Sequence, residues 1–260
     1  MLAAELLSQI ARLAPPELAE EWDNVGLLVG RHNQPVRRLL VALELRDEVL
    51  GEAREQGCDA ILTHHPVIFP ALRALTDDSA GADLALQAAE SRIAVIAAHT
   101  NLDSARGGLN DMMAAMLSLA DARPLRAAAG DPAAGLGRVG RIAPTTLAGL
   151  AARVAEVFEQ ARVTYAGDPD ARVEVVACCT GSGASLIADA RAAGADAYVT
   201  SDLTYHDADR ADGLQLVSLP HARAERIALK RWTRLLERAL AGDGVEVRFA
   251  LADTDPWQAV

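Results

Sequence analysis

The sequence predicts an α/β fold with mixed sheets, built from a duplicated α-β-(β-α)3 unit. Three observations carry that prediction. Apolar residues switch between helical spacing and short continuous runs along the whole 260-residue chain. One helix–turn–strand signature occurs twice with identical spacing. Five of the six histidines fall just beyond predicted strands, where the sites of open α/β sheets gather.

The elements follow in order. Residues 2–13 carry apolar side chains at helical spacing, and Pro15-Pro16 stops that helix. A strand over 25–29 closes at Gly30. Residues 39–43 read as a buried strand, 47–56 as a helix ended by Gly57, and 59–63 as the next strand. A helix over 82–91, a strand over 93–98 and a helix over 109–119 complete the first half. The second half repeats the order: helix 146–159, short strand 162–165, buried strand 173–179, helix 186–193 ended by Gly194, and strand 197–200. A strand over 214–219, a helix over 224–240 and an extra strand over 245–251 finish it. Ala53-Arg54-x-x-Gly57-x-Asp59-Ala60-x-x-Thr63 aligns without gaps on Ala190-Arg191-x-x-Gly194-x-Asp196-Ala197-x-x-Thr200. The stretch 127–137, rich in Ala, Gly and Pro, reads as the crossover, which divides the chain into a first α/β repeat over 1–126 and a second over 127–260.

Composition narrows the function classes. The length suffices for a buried core without disulfides, and 51% hydrophobic with 23% charged residues excludes wholesale disorder. Acidic residues outnumber basic ones 36 to 25, giving a net charge of −11, and aromatics are only 3%. That balance argues against nucleic acid or an anionic membrane surface as the main partner. No apolar run approaches the ~18 residues of a membrane span, and no basic-then-apolar leader opens the chain. Cys58 stands alone and Cys178-Cys179 are adjacent, so no disulfide framework is read and a cytoplasmic protein is expected; Cys178 and Cys179, in a buried strand, read as core residues.

The histidines carry the chemistry. His64 and His65 follow the strand ending at Thr63, and Pro66 holds the chain extended there and ends the ladder. Two successive ligands require a bend, because neighbouring strand side chains face opposite ways. His99 has Asp103 four residues on, ahead of the Gly107-Gly108 loop, and His221 has Glu225 at i+4 near a helix start, a spacing that puts His221 and Glu225 on one helical face. Asp103 reads equally as the N-cap of the next helix. His206 follows the strand near Thr200, and His32 sits in a polar surface turn. Three imidazoles and two carboxylates exceed what one tetrahedral ion needs and suit two divalent ions, with Zn, Fe, Mn or Co equally compatible. The Gly181-Ser182-Gly183 loop reads either as a phosphate-holding turn or as one that needs glycine for its backbone angles.

Three motifs complete the picture: Glu21-Trp22-Asp23-Asn24-Val25-Gly26-Leu27, Leu62-Thr63-His64-His65-Pro66-Val67-Ile68-Phe69, and Ala98-His99-Thr100-Asn101-Leu102-Asp103 followed by Gly107-Gly108-Leu109-Asn110-Asp111. Together they resemble the Nif-three-like dinuclear metal centre family, also called the GTP cyclohydrolase I type 2 homolog family. The resemblance runs essentially end to end. It implies two intertwined α/β repeats with the metal site between them, a homo-hexameric ring, and His64, His65, Asp103, His221 and Glu225 as metal ligands. The C-terminal half departs from the family pattern at Leu219-Pro220-His221 and at Thr200-Ser201-Asp202-Leu203-Thr204-Tyr205-His206. Two functions fit the resemblance. One is a metal-dependent hydrolase of a small anionic substrate, with His99 and His206 as acid–base candidates. The other is a non-catalytic protein that binds or delivers metal, or a regulatory scaffold.

Overall fold

The computed structural model describes residues 1–160 and 163–257. It contains α1 (Ala3–Leu13), β1 (Gly26–Val29), β2 (Arg38–Ala42), α2 (Asp47–Glu55), β3 (Ala60–Thr63), α3 (Ala80–Glu90) and β4 (Ala94–Ala97). Next come α4 (Thr100–Ser104), α5 (Leu109–Met116), β5 (Ala120–Ala128), β6 (Asp131–Thr146), α6 (Leu147–Val157), β7 (Thr164–Ala166) and β8 (Arg172–Ser182). The remainder is α7 (Ile187–Ala192), β9 (Ala197–Ser201), α8 (Tyr205–Asp209), β10 (Gln215–Ser218), α9 (His221–Ala239) and β11 (Glu246–Phe249). This is the expected α/β alternation with two mixed sheets. Arg162, the start of the short strand expected over 162–165, lies outside the described residues.

By packing, the chain forms two compact units: Met1–Ala105 with the chain from Leu229 onward, and Arg106–Ala228. The first holds a five-stranded sheet in the order β1-β4-β3-β2-β11. Its strands β4, β3, β2 and β11 run parallel, and β1 is antiparallel to β4. Leu40, Ile61 and Val95 of that sheet pack with Val49, Leu50 and Ala53 of α2 and with Leu84 and Ala88 of α3. On α1 the buried residues are Ala3, Leu6 and Ile10, one turn apart, as its apolar spacing requires.

The second unit holds a six-stranded sheet, β5-β6-β8-β9-β10-β7, in which β8–β9 and β9–β10 pair in parallel and the other neighbours pair antiparallel. Both faces of these three strands are covered, and the side chains divide with a period of two. Val176, Cys178, Val199 and Val217 pack with Met113, Val154 and Phe158, whereas Ala177, Cys179, Tyr198 and Leu216 pack with Leu186 and Ala190. Burial pushes the Cys178 thiol up to about 12, as expected of a core cysteine.

The duplicated signature performs one task twice. Gly57 and Gly194 end α2 and α7 at φ of +63° and +73°. Two residues later Asp59 accepts the backbone N–H groups of Arg37 and Arg38 at 2.7 and 3.0 Å, tying β3 to the start of β2. Asp196 accepts those of Glu174 and Val175 at 2.9 and 2.8 Å, tying β9 to β8.

One expectation is corrected. The stretch 127–137 is no free crossover but the tip of the antiparallel pair β5–β6. Its small residues are there because the strands approach closely: a Cβ at Gly135 would lie 2.1 Å from the Arg126 carbonyl oxygen. The buried Arg138 guanidinium fastens this tip, donating to Asp111 and to the carbonyls of Gly135 and Gly137. The short helices α4 and α8 were also absent from the sequence reading, being too brief to show an apolar period.

Replacing Asp196 with Ala strands two backbone donors and should destabilise the fold by about 1–3 kcal/mol. Asp196→Asn, which keeps an acceptor oxygen, should lose less; urea unfolding of both variants measures the difference.

Candidate metal centre

In the first unit the parallel ladder brings three strand ends side by side. Thr63 at the end of β3 pairs with Ala42 of β2 and with Ala97 of β4. Adjacent strands lie ~4.8 Å apart, so whatever follows these residues must cluster. Glu44 follows β2, His64 and His65 follow β3, and His99 follows β4. The chain bends at His64 and His65, as two successive ligands demand, yet their N–H groups still reach the carbonyls of Ala42 and Leu43 at 3.2 and 2.8 Å.

His64 is fully buried, with Nδ1 2.9 Å from the Ala98 carbonyl oxygen. A carbonyl only accepts, so Nδ1 bears the proton and the lone pair lies on Nε2. Nε2 stands 3.7 Å from Asp103 Oδ2. Asp103 is buried within α4 and does not cap α5, whose N-cap is Gly108. His64, His65 and His99 each offer a nitrogen, and all three lie within 4.8 Å of one another.

Carboxylates orient the other two rings. Asp23 Oδ1 sits 2.9 Å from His99 Nδ1, while the N–H and hydroxyl of Thr100 donate to Oδ2 at 3.0 and 2.5 Å. Burial alone would raise the Asp23 carboxyl; the hydrogen bonds from His99 and Thr100 outweigh it and hold the group well below its ordinary value. Glu44 Oε2 lies 3.9 Å from His65 Nδ1. Its carboxyl too is raised by burial but brought down overall by His65 and Arg46.

In the second unit the ends of β8, β9 and β10 line up in the same way. His221, the first residue of α9, points Nδ1 at Asp202 Oδ2, 2.6 Å away, and Nε2 at Glu225 Oε2, 3.0 Å away. Burial lowers the His221 imidazole, but Glu225 and Asp202 overcome it and push it up to about 9. Two carboxylates converging on one imidazole make a place for positive charge. Glu225 is 3% exposed, and its seat depends on Gly181 at the bend of β8. A Cβ there would lie 2.3 Å from Glu225 Oε1, and φ is +65°. The Gly-Ser-Gly turn therefore needs glycine for geometry. His206 is exposed on α8 against the Tyr205 ring, and among the described residues it joins no cluster of metal-ligating groups.

Asp23, Glu44 and Asp202 escaped sequence reasoning as parts of the site. Asp202 had a signal: at the spacing of the duplication it occupies the place of His65.

The comparisons identify the lineage. The family model described as Duf34/NIF3 (NGG1p interacting factor 3) matches residues 1–256. The chain belongs to this family. Among Duf34/NIF3 relatives, a Streptococcus pneumoniae protein named GTP cyclohydrolase 1 type 2 homolog is 32% identical over 268 residues, 100% of each chain. A Streptomyces coelicolor protein of the same name is 35% identical over 266 residues, 98% of this chain and 93% of its own. The crystal structure of Staphylococcus aureus protein SA1388 superposes with a TM-score of 0.92 at 27% identity, covering 100% of this chain and 99% of that one. A Bacillus cereus protein related to NIF3 shares the fold at a TM-score of 0.91 and 24% identity, with the same coverage.

The donor set fits the metal centre that the resemblance implies. Imidazole and carboxylate groups converge, and the His64, His99 and His221 rings are each aligned through Nδ1 by an oxygen acceptor, as metal-ligating histidines require. Because the folded Asp23 carboxyl lies below its ordinary value of 3.8, its contribution to stability is present above that pH and is lost as pH falls through the folded value. Asp23→Asn should flatten the acid limb of stability against pH, as read by urea unfolding between pH 5 and 2.

Proposed function

We propose that this chain holds two divalent cations, through His64, His65 and Asp103 in the first unit and His221 and Glu225 in the second, and hydrolyses a small anionic substrate. The observation that carries the proposal is the convergence of the buried His64 Nε2, the Asp103 carboxylate 3.7 Å from it and the neighbouring His65 nitrogen at adjacent strand ends, with His99 beside them. Family membership, together with the words "GTP cyclohydrolase 1 type 2 homolog" in the names of relatives, supports hydrolysis over other chemistries. Zn, Fe, Mn and Co all accept this mixed nitrogen and oxygen donor set.

When bound, two such cations supply a positively charged, Lewis-acidic centre that attracts an anion and activates water near neutral pH. The chain's own residues do the rest. Asp23 holds His99 by Nδ1, so Nε2 is the atom that takes or gives a proton. Asp202 orients His221 in the same manner. Of the two acid–base candidates, the exposed His206 receives no role in this reading. A homo-hexameric ring accompanies the proposal through the family resemblance, and light scattering should return about six times the 27.4 kDa chain mass.

A second reading is a metal-binding or metal-delivery protein without catalysis. The departure from the family pattern at Leu219-Pro220-His221 favours it, because an altered wall beside His221 matters more to a substrate than to an ion.

Elemental analysis of protein purified without a histidine tag should find close to two transition-metal ions per chain at saturation. His64→Ala and Glu225→Ala should lower the content markedly, and His206→Ala should leave it nearly intact. Chelation should abolish hydrolysis and added Mn, Zn or Fe restore it. A saturating content of one ion or none refutes the dinuclear reading, whereas two ions without turnover across a broad screen of esters and rings moves the assignment to metal delivery.

A further inference from the structure

Aromatic residues are scarce in this chain, nine in all, yet two of them stand against the histidine cluster. The Trp22 and Phe69 rings meet edge to face, with centroids 5.8 Å apart and planes at 69°. Each also meets the His99 ring at 6.2 Å, at 72° and 85° respectively. The three rings thus form the corner of a box. His99 in turn lies 5.1 Å from the His64 ring and 5.6 Å from that of His65. Both aromatic side chains remain open to solvent: Trp22 is 60% exposed and Phe69 48%.

This corner is held by its own residues. Asn24 Nδ2 donates to the Ile68 carbonyl at 2.6 Å, which pins the loop carrying Phe69 to the turn carrying Trp22. Asp23, between Trp22 and Asn24, fixes His99. A cavity of about 440 Å³ is lined by Phe69 together with Leu72, Arg73 and Ser79, a size suited to a small organic molecule. Exposing an indole and a phenyl ring to water is unfavourable unless something covers them. Their edge-to-face contacts leave ring faces available for a flat partner.

We propose that Trp22 and Phe69 are specificity-determining residues that hold a planar aromatic ring of the substrate beside His99, so that the protein selects anionic molecules bearing such a ring over aliphatic ones. The inference rests on the metal-centre reading for the anionic end of that molecule; the ring preference is a separate property with its own readout.

The test uses Mn-loaded full-length protein with three probes: inorganic phosphate, methyl phosphate and phenyl phosphate, each titrated by calorimetry, with metal content measured in parallel. Wild-type protein should bind phenyl phosphate about tenfold more tightly than methyl phosphate. Trp22→Ala and Phe69→Ala should each reduce that ratio severalfold, and the double variant should bring it near one with both ions retained. Trp22→Phe should recover most of the preference, which a purely structural role for Trp22 would not predict. Equal binding of the two esters by wild-type protein overturns the inference while leaving the metal reading intact, provided inorganic phosphate binds and two ions are present. A preference that survives in the double variant also overturns it. So does a fall in oligomer mass on light scattering of the alanine variants, which would assign the corner to contact with a second copy of the chain. If neither ions nor inorganic phosphate bind, the metal reading fails and takes this inference with it.

Discussion

A fully buried imidazole must satisfy its nitrogens, and that requirement organises the site. His64 has no solvent to turn to, so the Ala98 carbonyl takes the Nδ1 proton. Everything else about the ring follows. Its tautomer is set, its lone pair is on Nε2, and that nitrogen stands toward Asp103. The same rule recurs with stronger partners at His99, held by Asp23, and at His221, held by Asp202. In each case an oxygen acceptor engages Nδ1 and determines what Nε2 is able to do. A carboxylate in that position does more than a carbonyl, since it also stabilises the charged ring.

The parallel ladder supplies the second constraint. Strand ends that are neighbours in a parallel sheet discharge their following residues at one edge, so residues distant in sequence meet there without any further device. Both units use this arrangement. After β3 come His64 and His65, and β9 closes at Ser201 with Asp202 directly after it. After β4 comes His99 with Asp103 at i+4, and near β10 comes His221 with Glu225 at i+4. The duplicated framework has thus kept the positions and exchanged the chemistry: a histidine pair at one strand end, an orienting aspartate at the other.

This explains which parts were readable in the sequence. Buried strands such as β2, β3, β4 and β9 are continuous apolar runs and stand out, as do helices bounded by Pro15-Pro16, Gly57 and Gly194. His64, His65 and His99 were readable as a group because each directly follows such a run. The β5–β6 pair was not, since its Ala and Gly residues mimic a linker while serving close strand approach at Gly135. Asp23 and Glu44 stayed hidden for another reason. An orienting carboxylate needs only to reach a nitrogen in space, and Asp23 lies 76 residues from His99. No local spacing announces such a contact.

The turn at Trp22-Asp23-Asn24 shows how such hidden roles concentrate. Its three consecutive side chains act on three different targets: an indole against His99 and Phe69, a carboxylate on His99, and an amide on the Ile68 carbonyl. This turn governs ring orientation around His99. A chain could keep its sheet and lose this turn, and it would then present histidines at the same strand ends without the groups that aim them. Trp22-Asp23-Asn24 is thus under a chemical constraint as well as a structural one, because the carboxylate that aims His99 also ties the turn to Thr100.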